Sequence, residues 1–156
     1  MADRHGDQGA KLTDFVRSGG PLRGQALHRL AVSCAAAMAK LHARGNAGLR
    51  LGQDSVALGT RGQVLIGWQT TPTRSRYEDA VAEDVRDWAD LMVFAATGSV
   101  RGDVAVLPPA LRLAVEQCRR PDPAARPKAV HVLRVLLGHS VAEAMASVDG
   151  LLRRAG

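Results

Sequence analysis

Between Gly24 and Arg44 the apolar residues Leu27, Leu30, Ala31, Cys34, Met38 and Leu41 recur three and four positions apart, with Arg29 and Lys40 off the stripe. This spacing predicts a long amphipathic helix that stops at Gly45. A shorter helix is predicted over Lys11 to Arg17, ending in the breaker Ser18-Gly19-Gly20-Pro21. Two short apolar runs, around Val56 and Val64, flank the turn residues Gly59-Thr60-Arg61-Gly62 and predict a small β-hairpin. From Glu83 to Thr97 the stripe Val85, Trp88, Ala89, Met92 and Ala96 is joined by Leu91, Val93, Phe94 and Ala95, so apolar residues fill most of the circumference. A helix of that kind is a buried one, and Gly98 stops it. Pro108-Pro109 opens a further helix to about Arg119, along Leu111, Leu113, Ala114 and Cys118. Pro121-Asp122-Pro123 reads as a rigid connector, and Pro127 opens a helix that runs through Leu137 to Gly138. The last helix has the clearest start signal, the capping box Ser140-Val141-Ala142-Glu143, and carries Val141, Ala144, Met145, Val148 and Leu152 on one face up to Arg153-Arg154. Met1 to Ala10 is polar and expected to be frayed; Thr70 to Arg76 lacks periodicity and is expected to be a surface loop.

The pattern is mainly α, with no internal repeat and no boundary that divides the chain. Its 156 residues, 46% of them hydrophobic, suffice for one domain with a real core. No apolar run is long enough to span a bilayer and no secretory signal opens the chain, so a cytoplasmic location is expected. The net charge of +6 raises nucleic acid or an acidic partner as candidates. Against nucleic acid, the basic residues are scattered and aromatic residues make up only 3%. Among the basic residues only Lys11, Lys40 and Lys128 are lysines, a bias that a GC-rich bacterial genome tends to produce. Cys34 and Cys118 each fall inside an apolar helical pattern and read as core thiols. The five histidines show no metal-ligand spacing with them, and no Ser/His/Asp or activated-cysteine pattern occurs.

The stretch LHARGNAGLRLGQDSVALGTRGQVLIGWQ, from Leu41 to Gln69, resembles the catalytic-loop and metal-loop region of bacterial Ser/Thr protein kinases. EDVRDWADLMVFAATG resembles the central buried helix of their C-terminal lobe, and LRLAVEQCRRPDPAARP resembles a late stretch in which Cys precedes Asp-Pro and Arg-Pro. The resemblance covers Lys11 to about Gly138. It implies a kinase C-lobe-like helical domain over 11–138 with one small β-hairpin, a flexible N-terminus over 1–10 and an added C-terminal helix over 139–156. The N-terminal lobe is expected to be absent, since no Gly-x-Gly-x-x-Gly precedes the first helix.

The resemblance also places the chemistry, and the residues there do not fit it. The family's His-Arg-Asp triplet falls on Gly48-Leu49-Arg50, its metal-binding asparagine on Ser55, and its Asp-Phe-Gly triplet on Gly67-Trp68-Gln69. Phosphoryl transfer needs a base or positioning carboxylate and side chains that hold magnesium. Asp54 is the one carboxylate beside these positions. Asp84 matches a buried aspartate that holds the catalytic-loop backbone; a helix N-cap is the simpler alternative. His42 matches a histidine found ahead of the catalytic loop and is expected to be structural. Trp68 is expected to fill the volume vacated at Gly48. Arg126 matches an arginine paired with a glutamate, for which Glu78 is the available partner and a solvated arginine the alternative. The expected function is that of a catalytically inactive, pseudokinase-like scaffold or adaptor with no cofactor and no metal. Its expected partner is another protein, such as an active kinase or a signalling complex, or a second copy. Candidate interaction or modification residues are Val56, Leu58, Val64, Thr70, Thr71, Thr73 and Ser75. A basic nucleic-acid-binding helical domain and a nucleotide-binding remnant with weak phosphotransfer are the alternatives.

Overall fold

The structure is a computed structural model that describes residues 10–59, 61, 63–68 and 76–138. Its centre is the helix spanning Tyr77–Thr97, whose side chains are buried on nearly every side from Ala80 onward. The sequence pattern places its start at Glu83, but the helix begins at Tyr77. Its first turn is polar and carries Glu78 and Asp79, which favour a helix N-terminus through the dipole yet leave no apolar stripe to read. It ends where expected: Gly98 takes a left-handed conformation (φ 86°) and its N–H donates to the Phe94 carbonyl at 2.7 Å.

We number the elements in chain order. Strand β1 is Ala10–Lys11, α1 is Leu12–Gly19, α2 is Gly24–Ala43, β2 is Val56–Leu58 and β3 is Val64–Ile66. The central helix is α3, followed by α4 at Pro109–Cys118 and α5 over 129–138. Single 3-10 turns at Val104–Val106 and Pro123–Ala125 precede and follow α4. Each is capped by an aspartate, Asp103 accepting from the Ala105 N–H and Asp122 from the Ala124 N–H. The Asp122 cap lies within the Pro121–Pro123 connector.

Helices α2 and α4 both pack against α3. The contact with α2 is pinned by Trp88, fully buried, whose indole Nε1–H donates to the Ala31 carbonyl at 3.2 Å. Leu30, Ala31, Cys34, Met38, Val85, Met92, Val115 and Cys118 complete the core around it. Burial pushes both thiols up to about 12, so they are inert core groups. The loop between α1 and α2 is tied down by the Leu22 N–H, which donates to the Ala95 carbonyl at 2.7 Å.

The expected hairpin is part of a three-stranded antiparallel sheet in the order β1-β2-β3. Ala10, expected to be frayed, and Lys11, expected to be helical, pair with Leu58 and Ala57. Two residues are too few to show an alternation, so the pattern could not reveal this strand. The register Val56↔Ile66, Ala57↔Leu65 and Leu58↔Val64 puts Val56, Leu58, Val64 and Ile66 on one face and Lys11, Ala57 and Leu65 on the other. The first face packs on the helical core. The expected C-terminal helix and the Thr70 to Ser75 segment lie outside the described residues.

Replacing Trp88 with alanine should cost roughly 3–5 kcal/mol by removing the largest core side chain and its hydrogen bond. Urea unfolding followed by far-UV circular dichroism measures this; a loss under about 1 kcal/mol would contradict the packing described.

Candidate functional site

The loop from Gly45 to Ser55, which the sequence resemblance aligns with a kinase catalytic loop, joins α2 to β2. Its geometry is set by one buried carboxylate. Asp84, only 1% exposed, lies at the eighth residue of α3 and points into this loop. Its Oδ2 accepts from His42 Nε2 at 2.8 Å and from the Gly48 N–H at 3.0 Å; its Oδ1 accepts from the Leu49 N–H at 2.9 Å. The N-cap alternative is thereby excluded, because Asp84 is inside the helix and spends its oxygens on another segment. A carboxylate can stay buried when donors replace water around it. His42 Nδ1 is buried with no hydrogen-bond partner among the described residues. Tyr77, opening α3, donates its hydroxyl to the His42 carbonyl, so both ends of this helical segment are fastened to the end of α2.

The anchor shapes the backbone that follows. Gly48 takes φ 74° and Arg50 takes φ 52°, the one non-glycine left-handed residue among those described. Arg50 is exposed. The loop is closed at its far end by Ser55, whose Oγ–H donates to the Gly52 carbonyl and whose Oγ accepts the Gly52 N–H, both at 2.9 Å. Ser55, expected from the resemblance to stand at a metal-binding asparagine, is a staple for its own loop. Asp54, exposed beside it, accepts from Thr13 Oγ1 at 3.3 Å. Gly67 donates its N–H to the Ser55 carbonyl at 2.7 Å and closes the base of the hairpin, and Trp68 is half-buried against the core. Gln69 lies outside the described residues. Among those described, no group of three or more His, Cys, Asp or Glu side chains is placed to hold a metal ion.

Arg126 corrects both of its expected states. It is neither paired with Glu78 nor solvated: Nε donates to the Arg120 carbonyl at 2.7 Å, and its terminal nitrogens to the carbonyls of Ala82 at 3.1 Å and Pro121 at 3.4 Å. It thus fastens the connector to α3, the planar guanidinium reaching backbone carbonyls on both segments at once. Val56 also needs correction as an interaction residue. At 1% exposure it is core, because the alternation turns it inward, and Leu65 at 37% is the large apolar residue that the sheet exposes. Leu58 and Val64 are half-buried on the inner face.

One group the sequence did not single out is Asp87. Burial, then repulsion by Asp84, Asp90 and Glu83, pushes its carboxyl up to about 6, with Arg86 opposing. Its neighbour one turn on, Asp90, is satisfied by Arg119, whose Nε donates to Oδ1 at 2.8 Å. Only the assembled fold brings these acids beside the loop at Leu51–Gln53.

With this geometry in view, the class is a kinase-fold helical domain corresponding to a C-terminal lobe. Among solved structures the chain is similar to Rad53 (residues 1–466) in complex with AMP-PNP, with a TM-score of 0.68 at 17% sequence identity. The match covers 80% of this chain and 43% of that one, so the chain spans less than half the length of the protein it resembles. No protein-family profile and no curated sequence matches it.

Two outcomes follow. Asp84→Ala should destabilise the fold by about 3–5 kcal/mol, since it strands three donors at a buried site, whereas Asp84→Asn, which keeps an acceptor, should cost less; equal losses for the two in urea unfolding would contradict the anchor. Asp87 has a folded pKa above its ordinary value, so its proton is bound more tightly in the fold, and stability from this group falls as pH rises from about 4 through about 6. Asp87→Asn should therefore raise stability at pH 7.5, by about 1 kcal/mol once solvent screening is discounted, and have no effect at pH 3.5; melting curves at the two pH values check this.

Proposed function

We propose that this chain is a non-catalytic kinase-fold module that binds another protein through the outer face and open edge of its three-stranded sheet. The observation that supports it best is the division of labour at the catalytic-loop position. The backbone there is held by Asp84, while Arg50, Ser55 and Gly67 stand where phosphoryl transfer would need carboxylates and a metal-binding amide. A cation at the position of the base cannot take a proton from a hydroxyl, and Ser55 is committed to its own loop. On this reading the loop is kept for its shape.

The sheet offers the binding surface. Hydrogen bonds from the Gly59 N–H to the Gln63 carbonyl and from the Gly67 N–H to the Ser55 carbonyl, both 2.7 Å, set the phase of the ladder. In that phase Leu65 bonds to Ala57, and Val64 and Ile66 direct their N–H and C=O groups to the open edge of β3. Among the described residues no strand pairs with this edge. Beside it lies an open hollow of about 510 Å³ with Ala57, Leu65, Ile66, Lys11 and Asp54 on its walls. A partner that adds an extended strand along β3 would satisfy the edge and cover Leu65. The candidate modification residues Thr70, Thr71, Thr73 and Ser75 follow β3 in sequence, and phosphorylation would add negative charge to that segment.

The tests separate binding from catalysis. A protein that co-purifies from the native host, remade pure, should bind the wild-type chain and lose at least tenfold in affinity to Leu65→Glu, with circular dichroism and Tm unchanged; undiminished binding would move the interface elsewhere. Millimolar ATP with magnesium should leave Tm unchanged, whereas a rise of several degrees would establish a nucleotide site and favour a residual enzyme.

A further inference from the structure

We propose that the hollow between the Leu51–Gln53 loop and the outer side of α3 is a recognition pocket for an arginine side chain of a partner protein, with the Asp87 carboxylate as its receptor. The pocket measures about 250 Å³ and shares no lining residue with the hollow on the sheet, so it stands or falls apart from the strand-addition reading. Its walls are Leu51, Gly52, Gln53, Leu91, Phe94 and Val100, with Asp87 and Asp90 at one side. Apolar walls around a carboxylate suit a side chain that has a methylene stem and a cationic head.

The chain itself displays the chemistry one helical turn away. Arg119 comes from the end of α4 and bridges two lining residues, donating from Nε to Asp90 Oδ1 at 2.8 Å and from a terminal nitrogen to the Val100 carbonyl at 2.6 Å. Asp87 has no such partner: no hydrogen bond or ion pair reaches its carboxylate among the described residues. The charges around it are one-sided. On α3, Glu83, Asp84 and Asp90 repel it and only the exposed Arg86 attracts it; the Leu51–Gln53 wall brings no charge, and Arg119 is spent on Asp90. On a chain of net charge +6 this is a local acidic spot, complementary to a cation that the rest of the surface would repel.

A metal ion fits less well. Two carboxylates, one already paired, supply too few oxygens for magnesium or calcium, and no larger ligand cluster is present among the described residues. A guanidinium needs one planar acceptor and neighbouring carbonyls.

The test uses the folded full chain, 15N-labelled, at low salt and pH 7.5, titrated with N-acetyl-arginine amide and with its neutral isostere N-acetyl-citrulline amide. The arginine probe should shift the Gly52, Gln53, Asp87 and Val100 amides saturably, at least fivefold more tightly than citrulline, and lose at least fivefold in affinity on Asp87→Asn and at pH 5. As an independent check, Val100→Trp, placed at an exposed wall position (42%), fills the mouth and should abolish the response. Unmoved amides, equal response to citrulline, or binding indifferent to these variants would overturn the proposal.

Discussion

A single buried carboxylate organises this molecule. Asp84 sits on the most buried helix and reaches out of it to hold two loop amides and one imidazole. The arrangement ties three segments together: the end of α2, the loop after it, and α3. Because Asp84 is buried, each of these bonds is worth more than it would be in water, and leaving the carboxylate without its donors would be correspondingly costly. The left-handed turn at Gly48 and Arg50 can persist only because the amides beside it are fastened.

The rest of the fold supports that arrangement. Trp88, one turn beyond Asp84, locks α3 to α2 through Ala31, so the helix that presents the carboxylate cannot shift relative to the helix that presents His42. Arg126 fastens the connector after α4 to the Ala82 carbonyl, two residues before the anchor. The sheet packs its inner face on the same core and leaves Leu65 and the β3 edge outward. Shape is thus over-determined around a loop whose side chains, Arg50 and Ser55, have no part to play in phosphoryl transfer on the reading proposed above.

The long helices were legible because fifteen or twenty residues repeat a stripe several times, and the stops at Gly45 and Gly98 are chemically specific. Strand β1 was not, since two residues carry no period, and the start of α3 was not, since Tyr77-Glu78-Asp79 is a polar turn. Asp84 could be singled out from the sequence only through the resemblance; composition and spacing allowed a simple cap equally well. The true partners of Arg126 were hidden because backbone carbonyls leave no mark in a sequence. The Asp87 pocket was invisible for a related reason: its walls come from the loop near Gly52, from α3 and from Val100, segments that only the packed fold unites.

On the proposed reading, a kinase shape is kept here without its reaction. Incubation of the purified chain with γ-labelled ATP, magnesium and a generic protein substrate measures this most directly. No incorporation above a heat-denatured control is the expected result; transfer that disappears on Asp54→Asn would contradict the account.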